Sequence, residues 1–121
     1  MKLWSRGSNM ISNIPASSFG GIYSLVDDNG KRYIGSSKNI RQRVKSHKSH
    51  INTYLRDGVD GFVNPAIKEA VKQGLRFRCE VLAVFNCDMT ETERREIERI
   101  YIAKFGGYEA LYNYCVISHK I

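Results

Sequence analysis

The first clear pattern along the chain is an alternation of apolar and polar residues over 21–26. This stretch includes isoleucine, tyrosine and valine, and it predicts a β-strand. The four residues from Asp27 to Gly30 are a strong turn signal, because Asn-Gly readily adopts positive φ angles. Residues 31–35 then predict a returning strand. The sequence therefore predicts a β-hairpin over residues 21–35.

A basic helix is predicted directly after the hairpin, over residues 40–55. Asn39 followed by Gln42 has the form of an N-cap with its reciprocal partner. Apolar side chains recur at near-helical spacing, at Ile40, Val44, Ile51 and Leu55. We expect this apolar side to face the core.

Two further helices and one more strand follow. A proline at the first position opens a short helix over 65–73. Residues 75–85 alternate at first and then become continuously apolar, which predicts a more buried strand. Thr90 with Glu93 is a capping box that opens a helix over 91–105. The side of this helix that is expected to be apolar carries Ile97, Ile100, Tyr101, Lys104 and Phe105.

The predicted order of elements favours an α+β fold. It consists of a small three-stranded antiparallel sheet, made of the N-terminal hairpin and one later strand and flanked by helices. Residues 20–121 are expected to form a single domain, and the polar residues 1–19 a poorly ordered segment. Residues 1–9 are as consistent with a cloning remnant as with native sequence, since Gly7-Ser8 resembles a cloning junction.

Composition narrows the class of protein. A chain of 121 residues, 42% hydrophobic and 26% charged, has room for one modest core. No run reaches the ~18 apolar residues of a membrane span, and the N-terminus has no signal-peptide pattern. Cys79, Cys87 and Cys115 lack the spacing of a disulfide framework or a zinc site. We therefore expect a cytoplasmic protein, or a phage-encoded one acting in the host cytoplasm, without a membrane partner.

The net charge of +7 points to a polyanionic partner. Residues 31–48 carry seven lysines and arginines and no acidic residue. A basic block of this kind suits the DNA backbone, although charge alone leaves a protein without a nucleic-acid partner equally open. The candidates for DNA contacts are Lys38, Arg41, Lys45 and Lys48.

Five residues carry candidate chemistry, and each also has a structural interpretation. Tyr23 and Tyr33 should be neighbours across the hairpin, which is equally typical of aromatic packing. Arg43 and His47 lie four apart on one side of the basic helix, where solvated side chains are common. Glu98 borders an apolar helix side and is a suitable Mg²⁺ ligand, but it could also be one of many paired surface charges. The residues alone indicate a phosphodiester-binding protein, with at most one metal site.

Taken in order, these residues resemble the GIY-YIG nuclease family. Gly21-Ile22-Tyr23 and Tyr33-Ile34-Gly35 match its two tripeptides, and the resemblance extends to about Tyr114. The segment Gly35 to Ile40, with Arg43 and His47 after it, is similar to the second family motif. Further matches are Glu98-x-x-Tyr101-Ile102 and Tyr112-Asn113. One departure is that residues 60–63 lack the second histidine of some homing relatives.

The resemblance implies a catalytic role for six residues. It makes Glu98 the ligand of one divalent ion, Mg²⁺ or Mn²⁺. Tyr23 positions or deprotonates the attacking water, helped by His47, and Tyr33 orients water or phosphate. Arg43, preferred over Arg41, is the phosphate clamp. Asn113 makes a supporting polar contact.

The function that this resemblance implies is a metal-dependent DNA endonuclease that leaves 5′-phosphate and 3′-hydroxyl ends. A non-catalytic DNA-binding module and a structure-selective repair nuclease remain the alternatives to a homing-type enzyme. One active site cuts one strand per event, so double-strand cleavage needs a homodimer or two visits.

Overall fold

The computed structural model describes residues 11–61, 64–85, 89–107 and 110–112. It contains three helices and four strands within these ranges, and all the predicted helices are present. In chain order the elements are β1 (Ile11–Ser12), β2 (Gly20–Asp27), β3 (Arg32–Ser37), α1 (Ile40–Asp57), α2 (Pro65–Lys72), β4 (Phe77–Phe85) and α3 (Glu91–Lys104).

The sheet has four strands in the order β1-β4-β2-β3, so the prediction of three antiparallel strands was incomplete. β2 pairs antiparallel with β3, as predicted for the hairpin, and its other edge pairs antiparallel with β4. β1 adds a parallel pairing, with Ile11 opposite Phe77. This strand lies in the segment that was predicted to be poorly ordered. Ile11 is buried there because it packs into the core beside β4.

The central strand β2 is covered on both faces of the sheet. Tyr23 and Leu25 point into a core shared with α1 and α2, whereas Ile22 points into a second core shared with α3. Ser24 is also fully buried on the α3 face, where its hydroxyl accepts a hydrogen bond from Arg32 Nη1 at 3.2 Å. The sheet is thus the middle layer between helices.

Local signals fix the ends of α1. The Asn39 side chain accepts a hydrogen bond from the backbone N–H of Gln42 at 3.1 Å, which caps the first turn. Gly58 adopts φ 73° and ends the helix, and its N–H donates to the Tyr54 carbonyl. Because Ile40 and Val44 are fully buried, the orientation of α1 on the sheet is fixed close to its N-terminus.

The third helix packs on the opposite face of the sheet, along β3. Thr90 and Glu93 form the predicted capping box. Ile97, Tyr101 and Phe105 pack against the core, but the prediction was wrong for Ile100, which is 57% exposed. Ile102 is the buried residue instead. Residues 100–103 are all apolar, so the helical pattern alone does not show which of them faces the core.

The hairpin turn also anchors the last described residues. Asp27 Oδ1 accepts hydrogen bonds from the backbone N–H groups of Asn29 and Lys31, and the Tyr112 hydroxyl donates to Asp27 Oδ2. Asn64 Nδ2 donates to the Tyr112 carbonyl at 2.9 Å. The chain at Tyr112 is therefore held beside the start of β3.

A β-bulge between β2 and β4 explains why residue 21 is glycine. The register shifts between Ile22 and Tyr23, and a Cβ on Gly21 would lie 1.9 Å from the Ala83 carbonyl oxygen. Since that neighbour is backbone of the central strand pair, it cannot move away cheaply. The extra residue is Leu82 of β4, whereas β2 alternates regularly, so Tyr23 faces the α1 core and Ile22 the α3 core.

Gly21→Ala should therefore lower the free energy of unfolding by at least about 3 kcal/mol, the upper range for overpacked positions. Gly20→Ala is the matched control. Its Cβ would meet backbone oxygens at 3.1 Å, and we expect a loss of about 1 kcal/mol. Urea unfolding of the two variants and the wild type measures both values. Wild-type stability of Gly21→Ala would contradict the bulge geometry.

Candidate active site

The centre of the candidate site is the hydrogen bond between Tyr23 and His47. Tyr23 Oη and His47 Nε2 are 3.0 Å apart, which joins β2 to α1. The ring of Tyr33 lies beside both, with centroid distances of 6.3 Å to Tyr23 and 5.6 Å to His47. Tyr33 is diagonal to Tyr23 across the hairpin, since Tyr23 pairs with Gly35. The three rings form one edge-packed cluster.

Gly35 lets the Tyr23 phenol lie across β3. A Cβ at this position would be 2.6 Å from both Cζ and Oη of Tyr23. Any other residue here would push the phenol away from His47. The position of Tyr23 in the first tripeptide therefore requires Gly35 in the second, because the two residues are paired on neighbouring strands.

An open cleft of ≈620 Å³ begins at this cluster and passes around the edge strand β3 to α3. Tyr23, Tyr33, Arg43 and Glu98, each predicted from the sequence, all line it. Lys38 lines it as well, at the start of α1. Four secondary-structure elements or their ends therefore contribute to one surface.

Arg41 and Arg43, the two candidate phosphate ligands, occupy different environments. Arg43 lines the cleft. The side chain of Arg41 is partly buried, and its Nη1 donates to the Pro15 carbonyl at 2.8 Å. Arg41 therefore fastens the N-terminal segment to α1, whereas Arg43 is available to a ligand in the cleft.

Glu98 approaches the cleft from α3, on the opposite face of the sheet. Its Oε1 accepts a hydrogen bond from Ser36 Oγ at 2.7 Å. Ser36 directly follows Gly35 on the edge strand, so this bond links the carboxylate to the strand that carries Tyr33. The carboxylate is half-buried and held in one orientation.

The surroundings of His47 disfavour a charged imidazole. Burial and the nearby charges of Arg43 and His50 together lower the pKa of His47 to about 4. A small cavity of ≈70 Å³ lies beside the ring, and its lining includes the apolar side chains of Leu25, Ile51, Ile67 and Phe77. His47 is therefore neutral at physiological pH, and one ring nitrogen can accept a hydrogen bond.

Both tyrosines are held in the protonated form. Burial raises the pKa of Tyr23 far above its ordinary value, and the neighbouring Tyr33 raises it further, while the charge of Arg43 acts in the opposite direction. Burial, followed by the charge of Glu98, also raises the pKa of Tyr33. A free phenolate is thus disfavoured at rest, so Tyr23 can serve as a proton carrier only if a partner accepts its proton.

The other predicted DNA contacts lie elsewhere. Lys45 and Lys48 line a separate groove on another side of α1. Asn113 lies outside the described residues. The cleft is also lined by residues that were not predicted as part of the site, namely Ser36, Ser37, Asn39, Gln42, Ser46, Glu91, Arg94 and Arg95. Arg94 and Arg95 precede Glu98 by four and three residues, a helical spacing that could have indicated a shared side.

A single divalent ion fits this donor set better than a metal cluster. Among the described residues, no group of three or more His, Cys, Asp or Glu side chains could hold a metal. Two of the described carboxylates line the cleft: Glu91 is paired with Arg95, whereas Glu98 is oriented by the Ser36 hydroxyl. Mg²⁺ commonly uses one or two carboxylates together with substrate phosphate and water, so one such ligand is sufficient.

The sequence model of the GIY-YIG catalytic domain matches residues 19–113 of the chain. The chain therefore belongs to the GIY-YIG nuclease family. No curated protein and no solved structure matches it. Within the part of the chain that the structure describes, no helix is both long and apolar enough to span a membrane.

His47 should titrate near pH 4 in the folded protein. Because this pKa is below the unfolded value of about 6.5, protons bind preferentially to the unfolded chain at low pH. The stability that neutral His47 contributes is thus complete above pH 6.5 and is lost as the pH falls towards 4. NMR titration of the imidazole signals tests this, with His47→Gln for assignment. A midpoint near 6.5 would contradict the burial argument.

Proposed function

We propose that this protein is a metal-dependent endonuclease that hydrolyses phosphodiester bonds in DNA to 5′-phosphate and 3′-hydroxyl ends. One observation carries the proposal. A phenol paired with a neutral imidazole, an arginine and an oriented carboxylate meet in one open cleft, although they come from β2, α1 and α3. Each contributes a different part of phosphodiester hydrolysis.

Arg43 is the proposed clamp for the scissile phosphate. Its guanidinium can donate two hydrogen bonds to non-bridging oxygens and stabilise the charge that develops there. Lys38 and Arg94 line the same cleft and add positive potential around the phosphate, whereas the charge of Arg95 is offset by its ion pair with Glu91. Tyr33 lies beside Tyr23 and orients water or phosphate.

Glu98 is the proposed ligand of one Mg²⁺ or Mn²⁺ ion. When bound, the ion would supply Lewis-acid stabilisation of charge on the phosphate and on the leaving 3′ oxygen. The Ser36 hydroxyl donates to Oε1 of Glu98 and fixes that oxygen. The other carboxylate oxygen is left to bind the metal. Ser36 is therefore a positioning residue.

Tyr23 and His47 are the proposed route for the proton of the attacking water. The Tyr23 oxygen accepts the proton from water while its own proton passes to His47 Nε2, which lies 3.0 Å away. This exchange avoids a free phenolate, which burial disfavours. Asn113, which follows Tyr112 in the sequence, is retained as a proposed supporting polar contact.

Replacing Glu98 with alanine should lower cleavage of supercoiled plasmid by about a thousandfold, which corresponds to about 4 kcal/mol of transition-state stabilisation. Glu96→Ala is the matched control, since Glu96 lies on the exposed side of α3 and pairs with Arg99. It should cleave like the wild type. Equal cleavage by Glu98→Ala and Glu96→Ala would disprove the metal-ligand role.

Tyr23→Phe removes one hydroxyl but keeps the ring that packs beside Tyr33. The rate of the chemical step should fall by about 10²- to 10⁴-fold, the usual contribution of a proton-transfer group. Single-turnover cleavage measures this step. Tyr54→Phe should leave the rate unchanged, because Tyr54 lies near the C-terminal end of α1 and does not line the cleft. A wild-type rate for Tyr23→Phe would remove Tyr23 from the proton route.

Two outcomes would favour the other functions. If the wild type cleaves none of linear, nicked, flap and branched DNA with Mg²⁺ or Mn²⁺ but binds them, the chain is a DNA-binding module. If only flap or branched DNA is cut, it is a structure-selective repair nuclease. Sequential nicking of a plasmid, without linear product at early times, would indicate that one copy acts at a time.

A further inference from the structure

The exposed side of α1 carries features that the proposed chemistry does not use. From Ile40 to Arg56 the helix contains no acidic residue. Ile40, Val44 and Ile51 face the core, so the residues about 180° away face solvent. These outward residues are uncharged and polar, and we name them the outer ridge: Gln42, Ser46, Ser49 and Thr53.

The outer ridge lies between two surfaces that can bind phosphate, and its residues border both of them. On one flank Gln42, Arg43 and Ser46 line the catalytic cleft. On the other flank lies a groove of ≈370 Å³, which we name the far groove. Its cations are Lys45, Lys48 and Arg56, accompanied by Ser49, Asn52 and Thr53. Arg56 also pairs with the exposed Asp57, with Nε and Oδ2 3.1 Å apart, and such a pair is readily exchanged for a phosphate.

The spacing of the two flanks matches the two backbones of a DNA duplex. An α-helix with its side chains is about 10–12 Å across. The major groove of B-DNA is about 12 Å wide and admits such a helix between its two phosphate backbones. A single strand, by contrast, offers one backbone and cannot occupy both flanks of α1 together.

We propose that α1 enters the major groove of double-stranded DNA. The strand to be cut then lies in the catalytic cleft, the complementary strand lies in the far groove, and the outer ridge contacts base edges between them. Gln42 and Ser49 are the expected specificity residues, because amide and hydroxyl groups can both donate to and accept from base edges. This inference rests on the proposed function for the identity of the cut strand, but the binding geometry does not depend on cleavage.

The first test compares duplex and single-stranded DNA binding in a Glu98→Ala background, which separates binding from cleavage. Removing the far-groove cations with Lys45→Ala, Lys48→Ala and Arg56→Ala should weaken duplex binding by about 10- to 100-fold and lower its salt slope by about three. Single-strand binding should change by less than about twofold, because that strand occupies only the cleft. Alanine supports helix formation, so the variant is expected to fold.

The matched control removes three positive charges away from α1, with Lys72→Ala, Arg76→Ala and Arg99→Ala. These exposed residues lie on α2, before β4 and on α3, outside both grooves. The control should bind duplex and single strand within about twofold of the parent at the same salt. A far-groove variant that behaves like this control, or that loses both substrates equally, would overturn the proposal.

The second test identifies the groove of the DNA. Dimethyl sulfate methylates guanine N7 in the major groove and adenine N3 in the minor groove. Guanine methylation should interfere with binding next to the cleavage site, and Gln42→Ala with Ser49→Ala should abolish that interference. Interference from adenine alone, or from neither base, would overturn the placement of α1. If the wild type never cleaves DNA but this pattern is found, the nuclease proposal fails and the inference stands.

Discussion

The Tyr23 phenol lies directly over the backbone of Gly35, on the neighbouring strand, and the pairing of Tyr23 with His47 depends on this close approach. A Cβ at residue 35 would stand 2.6 Å from the phenol oxygen. With glycine there, the phenol reaches His47 on α1. The next residue, Ser36, then points to the other face and holds Glu98. Gly35 and Ser36 follow each other on the edge strand, and together they bring groups from both faces of the sheet into one cleft.

The edge position of β3 is as important as its sequence. In the strand order β1-β4-β2-β3 the hairpin partner of β2 is the outermost described strand. Groups from α1 and α3 can meet only by passing around such an edge, because β2 separates the two cores. Fixing β3 is therefore a functional requirement. Arg32 Nη1 contributes to it by bonding Glu80 Oε1 of β4 at 2.7 Å on the α3 face.

Local signals made most of the fold predictable, and long-range contacts account for what was missed. The turn at Asn29-Gly30 and the caps at Asn39 and Thr90 act over a few residues, so the sequence shows them directly. The two-residue strand at Ile11 exists because of a pairing 66 positions away with Phe77, which no local pattern encodes. The same holds for Ser36, whose partner Glu98 is 62 residues distant.

The charge of Arg43 affects the pKa values of Tyr23 and His47, so substrate binding at Arg43 would change both values. In the free protein it lowers the pKa of His47 and opposes the rise in the pKa of Tyr23. If a phosphate pairs with Arg43 as proposed, its negative charge offsets both effects. His47 then becomes a better proton acceptor, while a free phenolate becomes still less favourable. Substrate binding would thus direct the proton of the attacking water through Tyr23 to His47, and the imidazole would gain basicity only when a phosphate is present to be attacked.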